Sequence, residues 1–352
     1  MKINDFNYHL PKKLIAQGPV KSRDKSRFLI YDSKKDSIYH QRFFDLVNFV
    51  NPGDLIVINS TKVFPARLIG KKETGGKIEL LLLNQVGKNW KVLIGGSIKK
   101  DQRIVLGRDL NALILDQKGK EKIAKFNKSG DNLLETINKI GKMPIPPYIK
   151  NTKLNESNLK KQYQTIYAKN GFSSAAPTAG MHFSREQVSG LKKKGIKFAE
   201  ICLNIGLGTF APISDQKIKN KKLHFENFSI PYYTIKKIIE TRKNGGKIIA
   251  VGTTTVRALE TLGTRLFKLK KPYSGSTNLF IQPGFIFKIV DELITNFHLP
   301  ESSLMMLVAA FLENKSKSSK SDYGRSKLLE LYSNAIKNTY RFYSFGDAMM
   351  IK

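Results

Sequence analysis

Between Val63 and Asn127 the chain breaks into six short apolar runs, VFPARLIG, KIELLLLNQV, NWKVLIGG, RIVLG, LNALILD and EKIAKFN. Turn residues divide them at the interval of a small barrel or sandwich. The flanking texture differs. Upstream, NPGDLIVINS reads as a turn feeding a buried strand from Leu55 to Ile58. Downstream come a short helical run, DNLLETINKI, and the proline-rich MPIPPYI, whose X-Pro steps favour extended backbone. Beyond Tyr163 helices alternate with apolar strands, the pattern of a layered α/β domain. The expected architecture is α/β: a large mixed domain made of residues 1–62 and 148–352, with a small β-barrel domain, 63–147, inserted into it.

A chain of 352 residues with 41% hydrophobic content can bury the cores of two such domains. No apolar stretch reaches the length of about 18 residues needed to span a bilayer, and MKINDFNYHLPKK lacks the apolar centre of a signal peptide, so a soluble cytoplasmic protein is expected. The one cysteine, Cys202, excludes an intramolecular disulfide and sits in the apolar run IKFAEICLNI, as a buried inert thiol does. Lys+Arg number 61 against 28 Asp+Glu, a formal charge of +33 that draws the chain toward polyanions, nucleic acid first among them. A coding bias toward lysine and asparagine accounts for the excess equally well, because the lysines are dispersed and form no single arm.

Chemistry is expected where buried strands hand over to helices. In VDELITNFHLPESSLMMLVAAF, Thr295, Asn296 and His298 stand between a strand-like run and an apolar helix. In IIAVGTTTVRALE, Gly252, Thr253, Thr254 and Thr255 stand at a helix start, where N–H groups and the dipole favour an anion, with Arg257 able to add a charged fork. Ordinary threonine capping would explain the hydroxyls without the arginine. In AAPTAGMHF, small residues permit close approach to the backbone, and His182 precedes a helix opened by SREQ, a capping-box pattern from Ser184 to Gln187. NIGLGTF, with Gly206 and Gly208, lacks the third glycine of a dinucleotide fingerprint. In YRFYSFGDAMM aromatic rings surround Asp347, which suits either base stacking or a packed terminal strand. The five histidines never fall at zinc-ligand spacing, and neither a phosphate-binding P-loop nor a nucleophile elbow occurs.

Taken in order, RDKSRFLIYD, NPGDLIVINSTKVFPARLIG, MPIPPYI, YQTIYA, AAPTAGMHF, NIGLGTF, IIAVGTTTVRALE, FIQPGFIFKIVDELITNFHLPESSLMMLVAAF and YRFYSFGDAMMI resemble the S-adenosylmethionine:tRNA ribosyltransferase-isomerases of queuosine biosynthesis, from residue 5 to residue 351. The resemblance implies transfer of the ribosyl part of S-adenosylmethionine to 7-aminomethyl-7-deazaguanine (preQ1) at the tRNA wobble position. It further implies isomerisation to an epoxycyclopentanediol and release of adenine and methionine. S-adenosylmethionine is then a co-substrate, and no metal or redox cofactor is required. A monomer is expected.

That chemistry needs a base beside the 5′ carbon, for which His182 and His298, then Asp347, are the expected catalytic residues. Thr178, Gly206, Gly208, Thr209, Thr253, Thr254, Arg257, Thr295 and Asn296 are expected to bind substrate, and Phe210 or Phe345 to contact adenine. Arg27, Arg67 and the lysines around MPIPPYIK are expected on tRNA phosphates. The chain departs from the family pattern at Asn204, Lys221, Gln162, Ser60 and Lys62, where histidine, histidine, arginine, aspartate and arginine are usual; His224 and Glu226 are kept as second-rank candidates. A methyltransferase would show an early glycine-rich loop and an acidic ribose ligand, which are missing. A non-catalytic RNA-binding module would leave the buried polar loops at His182 and His298 unexplained.

Overall fold

The computed structural model describes residues 2–107, 109–118, 121–206, 222–316 and 322–352. Nine strands form one mixed sheet: β1 (Arg27–Asp32), β2 (Ser37–Arg42), β3 (Leu55–Asn59), β12 (Lys197–Leu203), β13 (Lys222–Ile230), β14 (Ile248–Val251), β15 (Tyr273–Leu279), β16 (Glu292–Asn296) and β17 (Ala348–Ile351). Their spatial order is β15-β13-β12-β3-β14-β16-β17-β1-β2. Four central strands, β12, β3, β14 and β16, run parallel; β17 pairs antiparallel with β16 and parallel with β1.

Both faces of this sheet are covered, which is why β3 can be LIVIN with every residue buried. Leu55 and Val57 pack into one core with α4 (Tyr232–Lys243), α5 (Thr253–Leu262), α6 (Ser303–Lys315) and α7 (Tyr323–Lys337). Ile56 and Ile58 pack into the other with Phe183 and Leu191, the latter on α3 (Arg185–Lys193). From Met305 to Leu312 α6 is buried on every side, so its sequence reads as a continuous apolar run.

The barrel closes in the order β10-β7-β6-β5-β8-β9. Its strands are β5 (Arg67–Lys72), β6 (Lys77–Val86), β7 (Asn89–Gly95), β8 (Arg103–Val105), β9 (Asn111–Lys118) and β10 (Glu121–Phe126). Alternate side chains such as Leu80, Leu82, Val92, Ile104, Ile114 and Ala124 fill a core of its own. Leu133 and Ile137 of α1 (Gly130–Ile140), one turn apart, join that core. The all-β run is therefore a closed antiparallel barrel set into an α/β protein, as its periodicity predicts.

Three local readings need correction. VFPARLIG is not one strand: β4 (Thr61–Val63) pairs with β11 (Asn170–Ser173), and the barrel starts only at Arg67, after Pro65, which has no N–H for a ladder. The last helix begins at Tyr323, five residues before its first leucine, and the polar segment 317–321 lies outside the described residues. In the capping box, Ser184 Oγ accepts the Gln187 N–H at 3.1 Å, but the Gln187 amide donates to the Phe43 carbonyl and does not return to Ser184. The short helix α2 (Glu156–Gln162) precedes β11, and between β11 and α3 Thr178–His182 form a 3-10 turn.

Candidate active site

The parallel strands β3, β12, β14 and β16 all end on one side of the sheet, and the antiparallel β17 starts there. Loops leaving the carboxyl ends of these strands line a cavity enclosing about 700 Å³, its open mouth included. Ala175–Ala179, Gly252–Thr254, Thr295–Leu299, Tyr343 and Ser344 surround it. The motifs at β14, β16 and β17 meet because the sheet places their strand ends side by side, and Ala175–Ala179, which follow β11 of the separate two-stranded sheet, join them through the Thr178–Asn296 bond.

Gly252 takes φ +87°, turning the chain from β14 into α5. It is itself the N-cap, and no side chain caps the helix, so threonine capping is not what these hydroxyls do. The Thr255 hydroxyl bonds back to the Val251 carbonyl at 2.7 Å, whereas Thr253 and Thr254 face the cavity. The first two N–H groups of α5 have no acceptor among the described residues, which leaves an anion seat at the positive end of the helix. Asn59 at the end of β3 steadies this turn: its amide reaches the Leu203 carbonyl at 3.0 Å and the Thr254 hydroxyl at 3.3 Å.

On the opposite wall, Asn296 is held in one orientation. Its side-chain nitrogen donates to the Tyr343 carbonyl at 3.3 Å, so its oxygen is the atom that accepts from Thr178 Oγ1 at 3.0 Å. The same nitrogen lies 3.1 Å from His182 Nε2, which must therefore be the unprotonated ring nitrogen. His182 Nδ1 carries the proton and donates to Ser26 Oγ at 2.8 Å. Both ring nitrogens are occupied, and His182 stands behind Asn296 outside the cavity wall. Burial first, then the charges of Arg341 and Arg23, push it down to about 3, so it is neutral.

His298 differs. Nε2 is 2.9 Å from Thr295 Oγ1, its N–H donates to the Tyr332 hydroxyl at 2.9 Å, and its carbonyl accepts from Tyr8 at 2.5 Å. Nδ1 has no partner among the described residues, and the residue lines the cavity. Burial lowers it too to about 3, leaving a neutral imidazole with one ring nitrogen free to act on a bound molecule.

Several expected site residues lie elsewhere. Asp347 is buried, with its carboxylate accepting the backbone N–H groups of Arg27 at 3.0 Å and Arg341 at 2.8 Å; it fastens the turn before β17 and does not line the cavity. Arg257 does not line the cavity: it pairs with Glu226 and donates through Nε to the Leu279 carbonyl at 3.0 Å, while its buried Nη2 has no partner among the described residues. Glu226 in turn accepts the Gly206 N–H at 3.0 Å, which gives both residues a part in holding the strand end after β12. Gly208, Thr209, Phe210 and Lys221 lie outside the described residues. Arg27 stacks on Tyr340 at 4.0 Å and donates to the Asn338 carbonyl, while Arg67 pairs with Glu79 at 2.8 Å on the barrel. Both guanidinium groups are already engaged within the fold.

Asn204, Ser60 and Lys62 do not line the cavity: Asn204 accepts from Thr61 at 2.8 Å and the Ser60 hydroxyl bonds the Ile201 carbonyl. At Gly180 the close neighbour is Tyr167, whose hydroxyl would lie 1.9 Å from an added Cβ; that glycine makes room for a tyrosine and not for a ligand. Residues that pattern reading overlooked include Tyr148, whose hydroxyl is 2.6 Å from Ser344 and is pushed by burial up to about 12, and Tyr343. The Tyr148 and Tyr343 rings sit 4.7 Å apart, and Tyr343 has φ +71°, a strained value for a tyrosine. The proline-rich MPIPPYI and the aromatic YRFYSFG were visible signals, but nothing in them says that the two meet.

Among the described residues no group of three or more His, Cys, Asp or Glu is placed to hold a metal ion. No helix of the described residues is long and apolar enough to cross a membrane. A family model described as "Queuosine biosynthesis protein" matches residues 3–351. The S-adenosylmethionine:tRNA ribosyltransferase-isomerase of Thermosipho africanus is 46% identical over 356 residues, and that of Acetivibrio thermocellus is 45% identical over 359, each pair aligned over 100% of both chains. The crystal structure of S-adenosylmethionine tRNA ribosyltransferase from Thermotoga maritima superposes with a TM-score of 0.55 at 36% identity, covering 99% of this chain and 100% of that one. Matched from end to end in this way, the chain belongs to the queuosine biosynthesis protein family.

Proposed function

We propose that this chain is an S-adenosylmethionine:tRNA ribosyltransferase-isomerase acting on preQ1 at the tRNA wobble position, giving epoxyqueuosine in tRNA with release of adenine and methionine. The observation that carries the reading is the single cavity in which Thr178, Thr253, Thr254, Thr295, Asn296 and His298 converge, in a chain that matches its relatives over its whole length.

In this reading the methionine carboxylate of S-adenosylmethionine takes the two open N–H groups and the hydroxyls at the start of α5, the place first given to Arg257. Tyr148 and Tyr343 supply aromatic faces for adenine. His298 Nδ1 takes the proton from the 5′ carbon, which the adjoining sulfonium has acidified. The imidazolium formed there is not favoured by the buried ring alone, so the bound carboxylate must lie close enough to stabilise it. His182 and Thr178 hold Asn296 in place. The preQ1 amine then bonds to a ribosyl carbon and gives up a proton, adenine leaves with the electron pair of its bond to the sugar and takes up a proton, and methionine departs as the neutral thioether with the electron pair of the sulfur–carbon bond.

We further propose that the insert spans 63–147, that the large domain comprises 1–62 and 148–352, and that the enzyme is a cytoplasmic monomer needing neither metal nor redox cofactor. Incubation with S-adenosylmethionine and preQ1-containing tRNA tests the reaction. Free adenine and methionine are expected. S-adenosylhomocysteine would indicate a methyltransferase instead, and RNA binding without turnover a non-catalytic module.

A further inference from the structure

Beside the cavity, on the far side of Tyr343, lies an open depression lined by Asn7, Tyr8, His9, Leu10, Ile15, Pro300 and Tyr343 itself. Its wall is also the mounting of His298. The Tyr8 hydroxyl donates to the His298 carbonyl, and the Tyr8 ring meets Tyr332 edge-on at 5.2 Å; the Tyr332 hydroxyl accepts the His298 N–H. Tyr343 keeps its φ of +71° while its N–H bonds the Phe297 carbonyl at 3.1 Å, which fixes it as a partition between the two spaces.

The lining chemistry is that of a nucleobase site. It offers aromatic faces from Tyr8 and Tyr343 and an apolar floor from Ile15 and Pro300. Asn7 and His9 are exposed, and their side chains take no hydrogen-bond partner among the described residues, which leaves an amide and an imidazole to read a base edge. The exposed Lys12 and Lys13 follow in the same segment. Gln17 ties that segment to the turn carrying Lys150, accepting its N–H at 2.9 Å and donating to the Tyr148 carbonyl at 3.1 Å. Cations for the sugar-phosphate chain therefore accompany the depression.

We infer that this depression seats an unstacked RNA nucleotide adjoining the wobble nucleotide, with Tyr343 separating it from the sulfonium nucleoside. The inference rests on the proposed function, since it takes RNA to be the partner, and it adds a second base-binding site. Because the same wall anchors His298, filling the depression would also steady the proposed base.

The test compares the wild-type chain with the Asn7→Ala/His9→Ala double variant, using a fluorescent preQ1-containing anticodon stem-loop for RNA binding and calorimetry for S-adenosylmethionine. The expected result is an RNA Kd raised about tenfold, with the S-adenosylmethionine Kd within about twofold, as for a site separate from the cavity. RNA binding unchanged in the variant overturns the inference and leaves the proposed function standing. Loss of S-adenosylmethionine binding would also overturn it, by showing that the depression is not a separate site. Wild-type protein that binds no RNA sinks the proposed function, and this inference with it. In a second measurement, a stem-loop carrying a photoreactive uridine beside the wobble position should crosslink to the peptide holding Asn7–Leu10; crosslinks confined to the barrel would overturn the proposal.

Discussion

His182 and His298 have the same residue type, the same buried setting and the same displacement of their titration to about 3, yet they stand in different relations to the cavity. Only His298 leaves a ring nitrogen open. Replacing it with alanine is expected to slow exchange of the 5′ proton of S-adenosylmethionine by about a hundredfold or more. His182→Ala acts through Asn296, so it should weaken substrate binding and turnover together; it should also lower stability by about 1–3 kcal/mol, because Ser26 and Asn296 lose their partner. Equal loss of exchange in both variants, with no change in melting temperature for His182→Ala, would contradict this division. Because both rings titrate lower in the fold than the ordinary 6.5, the unfolded chain binds protons that the native protein refuses. Their stabilisation is complete above pH 6.5 and is lost as pH falls toward 3, at about 2 kcal/mol per histidine by pH 5. A melting temperature that does not fall between pH 7 and pH 5, or a His182→Gln variant with the same slope, would disprove it.

At the scale of elements, the turn from β14 into α5 was legible as strand, glycine turn and helix, and the structure has it so. Its chemistry was only half legible. The threonines could be assigned to capping or to a ligand, and only the geometry shows that Gly252 is the cap and that two N–H groups remain open. Arg257, one turn later, looked like part of the same anion site; helical periodicity carries it round to Glu226 on β13 instead. Gly252→Ala should cost about 1–3 kcal/mol through the backbone alone, because φ +87° with ψ 150° is a region open essentially to glycine, while an added Cβ would meet nothing closer than 3.6 Å. If the N–H groups bind the methionine carboxylate, the variant will also bind S-adenosylmethionine more weakly. A lower melting temperature with unchanged affinity would mean that the turn is structural only.

For the whole molecule, the formal charge of +33 governs encounter with a polyanion more than it governs the fold. RNA affinity should drop at least tenfold between about 50 and 200 mM salt, whereas S-adenosylmethionine affinity should change little. Titrations by fluorescence anisotropy and calorimetry would show it, and parallel salt curves for the two ligands would refute it. Arg27 and Arg67 are weak choices for phosphate contacts because each is engaged within the fold, and a stem-loop Kd unchanged by Arg27→Lys is consistent with that.

The sequence by itself determined that a run of short strands after Val63 is set into an α/β texture, that strand, glycine turn and helix follow one another at Gly252, and where polar groups interrupt buried elements. These are local properties: side-chain period and turn chemistry act over a few residues. Only the tertiary structure decided that the ends of β3, β14 and β16 adjoin, that Asn296 stands between His182 and the cavity, that Asp347 and Arg257 pair with Arg341 and Glu226 outside the cavity lining, and that Tyr8 and Tyr148 come to the site at all. Strand order and hydrogen-bond partners depend on contacts between residues more than a hundred positions apart, and no local pattern records them.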